Sequence, residues 1–288
     1  MVLLYIPPVQ NLLRREVTAY ASKATGMQIQ VERIDLRFPL NLLVRGVEVI
    51  QQPDTLLSLE SLNVRVQAWP LLKGKVEVDE VTLSQVAVNS ANLIEGMQIK
   101  GVLGRFFLQS HGVDLSNETA VVNRTELSDT HIQLLMTDTT TTPKDTTASA
   151  PVNWKVNLHQ LKLKNVSFGM KLPADCMKMA AYIGEATIDD AKADLKNQFY
   201  GLKQFLLSGA SASYDTGEAQ PSEGFDASHI AVRNIRIGLD SLLYEGRNMN
   251  AVIREITMEE RSGLSITSLT GRLFSNDSII RIPELKLQ

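Results

Sequence analysis

Aliphatic side chains recur along this chain at an uneven beat. Between Val76 and Val88 (VEVDEVTLSQVAV) they fall at 76, 78, 81, 83, 86 and 88, so steps of two alternate with steps of three. A step of two keeps side chains on one face of a strand. A step of three sends the next pair to the other face, unless one residue bulges out or the strand turns a corner. The unit is therefore apolar-x-apolar-x-x-apolar-x-apolar, a strand that holds one oily face across a kink. It returns strictly at Ile29-Val31-Ile34-Leu36, Leu57-Leu59-Leu62-Val64, Leu161-Leu163-Val166-Phe168 and Ile280-Ile282-Leu285-Leu287. Looser copies stand at Leu42-Val44-Val47-Val49, Ala186-Ile188-Ala191-Ala193, Ile230-Val232-Ile235-Ile237 and Ala251-Ile253-Ile256-Met258. Chance would supply roughly one strict match in a chain this rich in apolar residues. Five strict matches mark an architectural unit.

A different period precedes the first copy. After Pro7-Pro8, apolar residues at Val9, Leu12, Leu13, Val17 and Tyr20 make one helical stripe, with Arg14, Arg15 and Lys23 among the residues off it. Prolines suit the first turn and Gly26 supplies a stop, so a short amphipathic helix is predicted over 7–26. It either plugs the end of a β core or lies along a membrane surface. Met1–Ile6 (MVLLYI) is too short to span a bilayer, which takes about 20 residues. It reads as a frayed terminus or as the remnant of a membrane anchor.

The β segments fall into a first run over 27–136 and a second over 152–288. Phe38-Pro39, Gln52-Pro53-Asp54 and Leu72–Lys75 mark turns in the first. Between the runs, Thr137–Ala150 (TDTTTTPKDTTASA) cannot bury enough apolar area to offset its ordering entropy, so 137–151 is predicted to be a flexible linker. Asp215–Gly224 is a second polar loop. Residues 189–206 fit both a helical stripe and the kinked-strand unit, and the neighbouring segments favour strand. The pattern breaks off unfinished at Gln288.

Composition adds mostly exclusions. At 288 residues and 44% apolar, the chain can bury a sizeable core. The 29 basic and 32 acidic residues are interspersed, so no nucleic acid partner is expected. A single cysteine, Cys176, rules out an intrachain disulfide. The four histidines stand far apart, without metal-ligand spacing. Gly96, Gly101 and Gly104 lack the Lys-Ser/Thr of a phosphate loop and suit turns or bulges instead. Asp189-Asp190 would point to opposite faces of a strand, and there is no nucleophile elbow. Neither an enzyme nor a cofactor or metal site is expected.

The kinked strands, with IPPVQNLL at Ile6–Leu13, GMQIQVERIDLRFPLNLLVRGVEV at Gly26–Val49, DTLLSLESLNVRV at Asp54–Val66 and PLLKGKVEVDEVTL at Pro70–Leu83, give the chain a family likeness. It resembles the AsmA-like superfamily, and most of all the periplasmic N-terminal region of the translocation and assembly module family TamB, of Bacteroidota type. Val152–Phe168 and Glu259–Phe274 share the likeness; residues 173–225 carry little of it. These motifs are strand patterns, not catalytic signatures. The resemblance implies a mainly β fold, an elongated curved sheet forming an open groove (a β-taco) capped by the short N-terminal helix. It also implies a periplasmic protein tethered to the inner membrane of a Gram-negative cell, carrying phospholipid between inner and outer membranes. An Omp85-type outer-membrane protein is the implied partner.

On that reading the groove-lining, lipid-contact candidates are Ile29, Val31, Ile34, Leu36, Leu57, Leu59, Leu62, Val64, Val76, Val78, Val81, Leu83, Val86, Val88, Leu161, Leu163, Val166, Phe168, Ile235, Ile237, Ile280 and Ile282. Val9, Leu12, Leu13, Val17 and Tyr20 form the membrane-proximal face of the helix. The residues alone serve an open trough and a closed β core equally well. A scaffold offering strand edges to unfolded outer-membrane β-proteins is the alternative function.

Overall fold

The structure, a computed structural model, describes residues 7–67, 77–90, 93, 95–114, 117–137 and 153–288. Helix α1 (Pro7–Thr25) opens it, and Gly26 ends the helix in the left-handed region, its N–H donating to the Ser22 carbonyl. Then come β1 (Gln28–Arg37), β2 (Asn41–Gln51), β3 (Asp54–Val66), β4 (Val78–Asn89), β5 (Met97–Asp114) and β6 (Thr119–Met136), an antiparallel meander. β7 (Lys155–Leu172) follows, then β8 (Met177–Asp194), the short β9 (Phe199–Leu202), β10 (Gln204–Asp215), β11 (His229–Glu245), β12 (Asn248–Glu260) and β13 (Ser265–Ser275). Two-residue strands β14 (Ile280–Arg281) and β15 (Lys286–Leu287) lie on β13.

All fifteen strands belong to one sheet. The two predicted runs join where β6 and β7 pair in parallel, Leu127 opposite Leu163 and Ile132 opposite Phe168. A parallel pair needs a long crossover, and the Thr-rich stretch supplies its length; residues 138–152 of it lie outside the described ones, as do Val76, Trp69-Pro70 and Leu72–Lys75. Residues 189–206 are strand, as their neighbours suggested, with a turn at 195–198.

Each three-residue step of the pattern corresponds to a defined break. In β2, β4, β7, β10 and β11 the second polar residue of the step takes a left-handed conformation: Gly46 (φ 57°), Gln85 (49°), Asn165 (53°), Gly209 (62°) and Asn234 (53°). Asp129 (51°) does the same in β6. Glycine and asparagine visit this region at least cost, which suits them to most of these sites. The breaks are aligned across the ladder. The paired register skips Glu32 against Gly46, Gly46 against Glu60, Glu60 against Gln85, Gln85 against Gly104, Gly104 against Asp129, Asp129 against Asn165, and Asn165 against Gly184. A crease therefore runs across the sheet. Close fit holds it together: a Cβ at Gly104 would stand 2.6 Å from the Asp129 Cβ, and one at Gly46 would stand 2.7 Å from the Glu32 Cβ.

A second crease runs through the longer strands. Asn123 and Asp129, His159 and Asn165, Gly184 and Asp190, and Asn234 and Asp240 each stand six residues apart along their strands. At about 3.3 Å per residue the two creases bound a panel about 20 Å wide.

Every substantial contact between elements is with a hydrogen-bonded neighbour, apart from α1 against β1 and a 3-10 turn (Pro173–Asp175) against β8. No large side chain among the described residues is fully buried. The accessible surface is 18602 Å², against roughly 12,000 Å² for a compact monomer of this mass.

One strict copy of the unit fails to form a continuous strand. Ile280 and Ile282 lie in a stretch that pairs with β13 only at 280–281 and 286–287, and Ile280 is 72% exposed. Pro283 lacks the N–H a ladder needs, and Glu284 adopts φ 61°. Among the described residues no strand lies on its far side to share a rung of apolar side chains.

Candidate functional site

Because the breaks align, the apolar pairs of successive strands meet rung for rung. On one side of the first crease the rung runs Ile34, Val44, Leu62, Leu83, Phe106, Leu127, Leu163, Ala186, Leu207 and Ile237. On the other it runs Val31, Val47, Leu59, Val86, Leu103, Thr130, Val166 and Ile183. Ile29, Leu36, Leu57, Val64, Val81, Val88, Leu161 and Phe168 continue the two flanking rungs. Ile235 pairs with Ala210. Val78 pairs with Val66 across a bulge at Asp79. Two consecutive exposed residues mark the break at Glu32-Arg33, Lys164-Asn165 and Arg233-Asn234, and they keep the apolar pairs on one face.

Several rung residues depart from the strictly aliphatic unit. β5 carries Gly101-Leu103-Phe106-Leu108 and β6 carries Thr125-Leu127-Thr130-Ile132, both at the unit's spacing. The signal in the amino-acid order is the spacing with Gly and Thr admitted, since Thr packs on a pleated surface as Val does.

Rung residues near the first crease include the buried Ile34, Leu59 and Ala186. The outer rung of the apolar face is open to solvent, with Val88 38%, Ile132 39% and Phe168 41% exposed. The helix side chains of Val9, Leu12, Leu13 and Val17 lie outside the described ones; Tyr20 points to solvent at 77% exposed. What α1 visibly does is cover an edge. The Arg14 guanidinium donates to the Glu32 carbonyl at 2.6 Å, and the Ser22 hydroxyl accepts the Ile29 N–H at 3.1 Å. No described helix is long and apolar enough to cross a membrane.

A separate hollow lies on the other face of the sheet. A cleft of about 1000 Å³ is formed at the ends of β5, β6, β7, β8, β10, β11 and β12. Most of its lining alternates with the rungs and so belongs to the polar face: Gln98, Lys100, His131, Gln133, Ser167 and Gly169 are examples. Phe168 borders it, and Ile237 borders a smaller hollow on the same face; the other lipid-contact candidates line neither. The Gln133 amide donates to His131 Nε2 at 2.8 Å, and the other ring nitrogen meets the Ser167 hydroxyl.

Five carboxylates are held by hydrogen bonds within the fold. Hydrogen bonds from Lys203 (2.7 Å) and then His159 (3.1 Å) hold Asp190 below the ordinary carboxylate range, at the second crease. The backbone N–H groups of Ser222 and Ser228, then His229, lower Asp226 strongly. Asn234 and then Arg233 lower Glu259, and Ser262 lowers Glu260. At Asp194 burial pushes upward, but hydrogen bonds from Asn197 and Lys155 prevail. Asp189 and Asp190 take separate partners, Gln160 and Lys203, and form no pair. No group of three metal-ligating side chains occurs among the described residues. Cys176 is free, its thiol 3.8 Å from the Glu218 carboxylate.

No family model matches the chain, and no curated protein matches it significantly.

Proposed function

We propose that this chain is the periplasmic part of an AsmA- or TamB-like protein, tethered to the inner membrane, that passively carries phospholipid between the inner and outer membranes. In this reading the sheet folds along its creases into an open trough whose apolar rungs hold acyl chains. The observation that carries it is the apolar face: rungs continuous from β1 to β11, in register, with an outer rung open to solvent at Val88, Ile132 and Phe168. Each methylene brought from water onto such a surface is favourable by about 0.8 kcal/mol. A lipid sliding along continuous rungs keeps its tails covered at every step, so no chemical catalyst is required. Direction and energy come from outside this stretch.

The edges weigh against a scaffold for unfolded β-proteins. Such a scaffold needs a long unpaired strand edge. Here α1 occupies the β1 edge through Arg14 and Ser22, and β14 and β15 interrupt the β13 edge. An Omp85-type partner remains compatible with the lipid reading as the acceptor at the outer membrane.

Native mass spectrometry of the purified protein tests the proposal. Wild type should carry phospholipid. Ile132→Asp combined with Phe168→Asp should stay folded, since both sites are already exposed, yet lose lipid and lose crosslinking to a photoreactive acyl chain. Lipid-free wild type, or undiminished crosslinking in the double variant, would refute the reading.

A further inference from the structure

We propose that the cleft on the polar face is a binding site for a phosphate-bearing anion, separate from the apolar rungs. Its hollow follows from side-chain size. Gly169, Ala180, Ser213 and Ala231 sit side by side on four neighbouring strands, so the floor lies close to the backbone. Longer side chains wall it, and the charge they bring is lopsided. Lys100, Lys171, Lys178, Arg233 and Arg261 line the cleft against two carboxylates, Asp215 and Glu260, in a chain whose net charge is −3.

The carboxylates do not neutralise these cations. Glu260 is engaged by backbone N–H groups, from Ser262 at 2.7 Å and Ala231 at 3.4 Å. Arg233 is paired with Glu259 at 3.0 Å. Among the described residues, Lys100, Lys171, Lys178 and Arg261 form no ion pair. Lys171 and Lys178 stand directly opposite each other on β7 and β8. Like charges at facing positions of a ladder are destabilising, and a concave site concentrates their field. Asp215, opposite Lys178 on its other side, offsets part of it.

An anion resting on the small-residue floor removes that repulsion. Phosphate suits the site because several ammonium and guanidinium groups can donate to its oxygens from different directions. The His131–Ser167 pair and the Tyr182 hydroxyl border the same hollow and can bond a hydroxylated body attached to the phosphate. The phosphate ester belongs either to a water-soluble compound or to a lipid headgroup presented at a membrane surface.

The test uses the whole chain and two probes, inorganic pyrophosphate in solution and vesicles of phosphatidylglycerol in phosphatidylcholine. Lys171→Gln with Lys178→Gln should weaken binding of the responding probe at least about tenfold, as loss of charge-assisted bonds implies. Without ligand that variant should melt no lower than wild type, because the repulsion is gone. Asp215→Asn should tighten binding, and Lys164→Gln, on the same face outside the cleft, should leave it unchanged. Response to pyrophosphate identifies a soluble ligand, and cleft-dependent response to vesicles alone identifies a headgroup. The proposal is overturned if neither probe binds, if binding survives the double variant, or if Lys164→Gln weakens it equally, which would mean diffuse attraction to the surface.

Discussion

The first three strands of the sheet cross one crease, whereas β7, β8 and β11 cross two, and the two creases are held by different means. In β1–β3 the crease is Glu32, Gly46 and Glu60, and it depends on the absence of a Cβ at Gly46 under the Glu32 side chain. The second crease is polar and charged at the surface: His159 and Lys203 meet on Asp190, and Arg254 meets Asp240. The rungs differ too. β1–β3 present Ile, Leu and Val, whereas β8 and β10 present Ala181, Ala186, Ala210 and Ala212. β1 and β3, of 10 and 13 residues, hold one four-residue unit, and β7, β8 and β11, of 17–18, hold one and a half. One local device, repeated at fixed spacing, therefore breaks the register of the sheet along one line or two.

The sharpest way to break that comparison is to fill a crease. Gly104→Ala puts a Cβ 2.9 Å from the Asp129 carbonyl oxygen as well as against its Cβ, and should cost about 3 kcal/mol, read as a lower denaturation midpoint at unchanged slope. A tolerant response would show that the crease is soft.

Acid should separate the two regions next. The five carboxylates held below their ordinary range all lie between Asp190 and Glu260. Each is lowered on folding, so its contribution is complete above the unfolded value near pH 4 and is lost as pH falls through the folded value. Between about pH 4 and pH 2, amide protection in β8, β11 and β12 should fall before that in β1–β3, as measured by hydrogen exchange. Simultaneous loss would place the sensitivity elsewhere.

Smaller effects sharpen the picture. Gly209→Ala meets nothing nearer than 3.8 Å but must hold φ 62°, so it should cost about 1 kcal/mol, conformational strain alone. Among the left-handed residues of the first crease Gln85 is the least suited, and Gln85→Asn should raise stability by a few tenths of a kcal/mol. If the two glycine substitutions cost the same, close packing at Gly104 is not what holds the crease.

Much of the apolar face was legible in the amino-acid order. The two-three stepping located Gly46, Gln85, Asn165 and Asn234 as sites where a strand must turn, because period two and a buried face leave no other way to take an odd step. Helix α1 was legible from its stripe, its prolines and Gly26. Ile280 and Ile282 were misread because a pattern states which face a strand would bury, while strand formation needs a neighbour with donors and acceptors in place.

What the sequence by itself determined is local: where each strand turns, and which side of it is oily. Only the tertiary structure decided the rest: the parallel joining of β6 to β7, the alignment of every turn into a crease, and the cleft on the polar face. Gly169, Ala180, Ser213 and Ala231 carry no signal in their own strands. They become a floor because long-range pairing sets them side by side, and pairing register is a property of two strands at once, which no single stretch of chain encodes.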